Sequence, residues 1–249
     1  MDRTAVLQAA TQIRDEKYPK ALSVLAAGSL VRGDGTSTSD IDLIVVFDRL
    51  EAAYRESFTF AAWPVEAFVH DPMTLEYFFR DVDRPSGVPT LMTMVAEGVE
   101  VPRETAFGNS LKVLANSVIE DGPPRWSDAD IDASRYALTN LVDDLHAPRS
   151  GEEQCATLID LYPALATHFF RRRNRWAAKG KTIARALMAD DPVFARTFLE
   201  AFDTAFVTGD GSPVERLVDE LLQEDGGRLF AGYHRAAPRS WRRNEGDSS

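Results

Sequence analysis

Apolar and polar positions follow two different rhythms along the chain. Residues 3–17 carry apolar residues at helical spacing, with Ala5, Leu7, Ala9 and Ile13 on a loosely apolar side. Residues 20–27, KALSVLAA, form a short apolar run that stops at Gly28, the pattern of a buried strand. Residues 28–39 are rich in Gly, Ser and Thr and read as turn and loop. The β-branched run 41–47, IDLIVVF, predicts a second strand. Residues 64–70 predict a third, with Pro64 at its entrance, where a missing N–H does least harm. Helical spacing returns over 73–80 and 88–97.

Beyond about residue 105 the strand signals stop. Ser127 is the expected N-cap of an amphipathic helix reaching His146, with Asp130 near its positive end. Further helical patterns cover 151–177, 181–189, 192–207 and 213–224, punctuated by Gly151, Gly180, Pro192, Gly209, Gly211 and Pro213. An α/β half is therefore followed by an all-helical half. The composition shifts between residues 105 and 126, around Gly122, Pro123 and Pro124. The tail 238–249, PRSWRRNEGDSS, is expected to be disordered.

Composition narrows the function classes. With 44% hydrophobic and 27% charged residues, the 249-residue chain is neither disordered nor fibrous. Its single cysteine, Cys155, forbids a disulfide within the chain and predicts an intracellular, cytoplasmic setting. Cys155 lies in a helical pattern and reads as a small core residue. The charged N-terminus lacks the apolar core of a signal peptide. No stretch approaches the roughly 18 unbroken apolar residues of a membrane helix, so no membrane partner is expected. The net charge of −11 argues against sequence-independent nucleic-acid binding, which needs a basic face. It is compatible with a cationic small substrate.

The chemistry concentrates between residues 28 and 43. Asp40 and Asp42 stand two apart at the head of an apolar strand, so both carboxylates point to one face. Side by side they repel, and a hard divalent cation is the usual compensation. Upstream, Gly28 and Ser29 follow a strand and begin a helical turn, where backbone N–H groups and the hydroxyl can meet an anion. A phosphate cradle and a metal-binding carboxylate pair are the two parts that phosphoryl transfer requires.

Gly28-Ser29, a Gly-containing loop with Arg32, and Ser39-Asp40-Ile41-Asp42-Leu43 resemble the signature of the DNA polymerase β-like nucleotidyltransferase superfamily. Within it, the order of elements resembles small bacterial nucleotidyltransferases that include aminoglycoside adenylyltransferases. The resemblance implies an α+β fold: a mixed-sheet nucleotidyltransferase core over residues 1–110, then an all-α helical-bundle domain over 111–237. It implies that Asp40 and Asp42 bind Mg²⁺ and that Gly28, Ser29, Arg32 and Ser39 hold the nucleotide. The superfamily places a third carboxylate on a neighbouring strand. Glu66 fits it, with Val65, Ala67 and Val69 on the opposite face, as metal ligand, general base or both. Asp48 and Asp71 are rivals near strand ends.

Six basic residues and no acidic one fall between Arg171 and Lys181. On a continuous helix Arg171, Arg175 and Lys179 would share a face. An NTP is the economical anionic partner. Related adenylyltransferases carry a Gly-Lys element whose Lys contacts the triphosphate, which favours Lys181, with Lys179 next. The resulting expectation is a Mg²⁺-dependent transfer of a nucleoside monophosphate, AMP from ATP, to a hydroxyl of a small aminoglycoside-like acceptor. Asp143 or Asp144 would face that cation. The alternative is an antitoxin-like regulatory module acting on a protein partner. Calcium-loop, zinc and dinucleotide patterns are incomplete, and His70 and His168 read as structural.

Overall fold

The computed structural model describes residues 2–238 and 241, so most of the expected disordered tail lies outside the described residues. The chain forms two compact units, one ending at Pro124 and the other starting at Arg125. The division falls inside the 105–126 stretch and past residue 110, because a helix runs through that point.

In the first unit, α1 (Arg3–Lys17) starts at Asp2, whose carboxylate accepts from Thr4 N. Its buried residues are Val6, Ala9, Ala10 and Ile13. They follow i, i+3, i+4, i+7 spacing, a tighter stripe than the expected one through Ala5 and Leu7. Next come β1 (Ser23–Ala27), the single turn α2 (Gly28–Arg32) and β2 (Ile41–Val46). β3 (Tyr54–Phe60) and β4 (Trp63–His70) form a hairpin. α3 (Pro72–Tyr77) runs through a wide helical turn into α4 (Arg84–Ser86). α5 (Thr90–Glu97), β5 (Val99–Glu100) and α6 (Ala106–Asp121) complete the unit.

The sheet order is β3-β4-β2-β1-β5, with β2 and β4 parallel and the other pairs antiparallel. This is the mixed sheet of the α+β expectation. Val24, Ala26, Ile41, Leu43, Val45, Val65, Ala67 and Val69 join the buried face of α1 in one core. α5 and α6 pack against β1. The sheet has five strands where the sequence pattern predicts three. β3 is an edge strand with only every second residue partly buried. Its turn, Ala61-Ala62, lacks the usual Asn-Gly, although both residues have positive φ of 45° and 70°. β5 is two residues long.

Glu100 on β5 is buried, 4% exposed. It accepts hydrogen bonds from Ser23 Oγ at 2.7 Å, Thr105 N at 2.6 Å and Thr105 Oγ1 at 2.8 Å. Thr105 in turn caps α6 by accepting from Gly108 N. A buried carboxylate with three donors ties β1, β5 and the start of α6 together, which is the condition for its burial.

The second unit is helical: α7 (Asp128–His146), α8 (Gly151–Arg172), α9 (Ile183–Asp190), α10 (Pro192–Thr208) and α11 (Ser212–Leu222). Ser127 and Asp130 cap α7 reciprocally, as its sequence predicts. Phe169 of α8 stacks on Phe194 of α10 with centroids 4.0 Å apart, and Tyr162 meets Phe198 and Phe202 edge-on. His168 is fully buried. Its Nδ1 lies 2.9 Å from Ser134 Oγ and its Nε2 lies 3.2 Å from Asp225, which also pairs with Arg172. This network joins α7, α8 and the segment after α11.

α8 ends at Arg172 rather than at residue 177. Asn174 adopts a positive φ of 54°, and Arg175 N and Asn174 N donate to Phe170 O and Arg171 O. This is a Schellman end, with Asn in the place usually taken by Gly. Arg171, Arg175 and Lys179 therefore do not share a helical face. Cys155 is exposed, not a core residue as its helical pattern suggested.

Candidate active site

Strand pairing builds the site. β1 and β2 are antiparallel with Ala27 opposite Asp42, and β2 and β4 are parallel with Glu66 opposite Asp42. Alternation puts Asp42 and Glu66 on the face away from α1, while Ile41, Leu43, Val65 and Ala67 are almost fully buried on the other. A one-residue slip would exchange the two sets, so burial of the apolar set fixes where the carboxylates emerge. Asp40 precedes the strand. One carboxylate oxygen from each of Asp40, Asp42 and Glu66 lies within 4.8 Å of the others. Three hard oxygen donors so close suit a divalent cation.

Gly28 is also constrained by its neighbour Asp42. Its φ is +78°, and a Cβ placed there would stand 1.9 Å from Asp42 Oδ2. Any side chain at this position would displace the Asp42 carboxylate. Ser29 Oγ donates to Ser39 Oγ at 3.2 Å, and Thr36 N donates to the same Ser39 oxygen at 2.9 Å. Ser39 thus holds the loop that leads into Asp40. Arg32 lies 3.5 Å from Asp34 and 3.4 Å from Glu97.

Burial pushes the Asp42 carboxyl up to about 6, and the charges of Asp40 and Glu66 add to the shift, while Arg32 and Arg55 oppose it. The cluster is thus under negative strain that a bound cation would relieve. Arg55 partly relieves it already. From β3 it ion-pairs with Glu66 and lies over the Phe68 ring, 4.9 Å from its centroid. Ser57 Oγ donates to Glu66 at 3.4 Å. The sequence reading missed Arg55 because it missed β3. The alternation of Arg55, Ser57 and Thr59 with Glu56, Phe58 and Phe60 was the available signal.

The rival Asp71 is a helix cap. It is buried and accepts from Leu50 N at 3.0 Å and Thr74 N at 2.8 Å, which holds its carboxyl below the usual range. Lys179 and Lys181 lie in the second unit, exposed, at a short turn ahead of α9. Asp143 and Asp144 are exposed on α7, and Asp143 lies 3.4 Å from Arg228. The first unit thus brings together Gly28, Ser29, Arg32, Ser39, Asp40, Asp42 and Glu66. Among the described residues no helix is long and apolar enough to cross a membrane.

Residues 7–77 match the family model of the nucleotidyltransferase domain. The match covers β1 to β4 and hence the three carboxylates. Those residues therefore carry a nucleotidyltransferase domain, which supports transfer of a nucleoside monophosphate from an NTP. No curated protein matches the sequence. Among solved structures, a nucleotidyltransferase-like protein from Exiguobacterium sibiricum 255-15 is similar at 13% identity. That similarity has a TM-score of 0.46 and covers 88% of this chain and 75% of the other.

Proposed function

We propose, from the nucleotidyltransferase domain in the first unit, that the chain transfers AMP from ATP to a hydroxyl of a small, aminoglycoside-like acceptor and releases pyrophosphate. The observation that carries this reading is the convergence of Asp40, Asp42 and Glu66 beside the Gly28–Ser29 turn. The three carboxylates would hold Mg²⁺. Bound there, the cation would offset phosphate charge and raise the acidity of the acceptor hydroxyl. Glu66 takes the hydroxyl proton as the acceptor oxygen attacks the α-phosphorus and pyrophosphate departs. Ser29, Ser39 and Arg32 border the nucleotide. Asp143 or Asp144 attracts the acceptor, and a cytoplasmic location belongs to the same proposal.

A label-transfer screen tests it. ATP labelled at the α-phosphate is incubated with Mg²⁺, the full chain and a panel of aminoglycosides. Labelled acceptor and free pyrophosphate, both absent with Asp40→Asn, are the expected result. Label on a co-purified protein and on no small molecule would instead favour the regulatory reading.

A further inference from the structure

The basic run that breaks off α8 has a structural counterpart in the second unit. Arg171, Arg172 and Arg173 at the end of α8 line a pocket of about 310 Å³ together with Arg125, Trp126, Ile131 and Asn174. Arginines in the last turn of a helix offset its negative end, and that alone would account for residues 171–173. It does not account for Arg125, which arrives from the segment before α7 and lines the same space. Nor does it account for the burial of Arg171, which is 6% exposed with its guanidinium 5.8 Å from the Trp126 ring centroid.

The charge balance points the same way. Asp225 pairs with Arg172 and Glu224 lies 3.8 Å from Arg173, while Asp130 acts on Arg171. None of these acids lines the pocket. Four arginines thus line this space and, among the described residues, no acidic side chain does, in a chain of net charge −11. Guanidinium forks match the oxygens of phosphate and hold them in pairs. A pocket of this size admits two or three linked phosphate groups. Lys179 and Lys181 do not line it.

We infer that this pocket binds a phosphate-bearing anion through Arg125, Arg171, Arg172 and Arg173. The inference goes beyond the transfer reading and does not depend on it. Its ligand is either the phosphate tail of a nucleotide or a separate phosphorylated molecule. These sources share the chemistry and differ in competition.

The test is calorimetric titration of the full chain with inorganic pyrophosphate in EDTA, where the Asp40–Asp42–Glu66 cluster carries no cation and repels anions. Saturable binding is expected. Arg125→Glu should weaken it at least tenfold, and so should Arg173→Ala. Arg125 is exposed, so its reversal keeps the fold, which circular dichroism checks. Competition by ATP would assign the pocket to a nucleotide's phosphates, and simultaneous binding of both would assign it to a separate ligand. Absence of saturable binding, or binding that survives both arginine variants, would overturn the inference. Because the readout is affinity without metal, it stands apart from any failure of transfer.

Discussion

Replacing Asp42 by Asn should stabilise the protein when no divalent cation is present. Asp42 titrates at about 6 in place of an ordinary 3.8, because burial and the neighbouring carboxylates disfavour its charge. A folded-state value raised by about two units means that ionising Asp42 destabilises the fold, by about 1.36 kcal/mol per unit. The full figure is about 3 kcal/mol, and partial exposure with solvent screening lowers it to roughly 1–3 kcal/mol. The direction with pH follows. Between pH 3.8 and 6 the folded protein binds more protons than the unfolded chain, so wild-type stability falls as pH rises through that window. Asn keeps the shape and never ionises. In EDTA at pH 8 the variant should therefore melt higher, by roughly 3–10 °C for a unit of this size. The gap should close towards pH 4. Added Mg²⁺ should raise the wild-type melting temperature and leave the variant's nearly unchanged. Scanning calorimetry at the two pH values, with and without Mg²⁺, reads all of this. A variant that melts at or below wild type in EDTA at pH 8, or a gap that persists at pH 4, would refute the reasoning.

Glu66→Gln should leave ATP affinity within a few-fold of wild type and lower turnover on the order of 10²–10⁴-fold, the usual loss for a general base; near-normal turnover would remove Glu66 from the chemistry. Replacing Ala61-Ala62 by Asn-Gly should raise the chemical-denaturation free energy by about 1–2 kcal/mol, since both alanines now hold a left-handed conformation that Asn and Gly accept. Glu100→Ala should cost on the order of 3 kcal/mol by stranding the Ser23 and Thr105 donors, and a denaturant midpoint equal to wild type would show that those bonds carry no stability.

The candidate site was legible because its determinants are local. Gly28, Ser29, Asp40 and Asp42 lie within fifteen residues, and alternation fixes the face of Asp42 just after Asp40 leads into β2. Glu66 required a guess about pairing, yet Val65, Ala67 and Val69 marked which face it leaves. Arg55 was not legible, because it sits on a strand whose turn has no turn residues and whose outer face is solvent. The end of α8 was misjudged for a related reason. Arg173 to Lys179 continue a helix-compatible composition, and only the conformation of Asn174 stops it. The pocket lined by Arg125 was invisible for the opposite reason, since it joins residues far apart in sequence.

The charges around the site also order its ligands. Asp40, Asp42 and Glu66 bring three negative charges, and Arg32 and Arg55 act on them as the two nearby positive ones. At neutral pH Asp42 is mostly ionised, so the site keeps a net negative charge. An NTP tail approaching it alone meets repulsion, whatever Ser29 and the backbone at Gly28 offer. A single divalent cation reverses that sign and turns the same cluster into an attractive seat for phosphate. Nucleotide affinity in the first unit should thus be coupled to the cation through the carboxylates, whereas the arginine pocket of the second unit needs no such help. Arg55 would weaken that coupling, because it already offsets the charge of Glu66. It pairs with Glu66, and a cation held by the three carboxylates would compete with it for that charge.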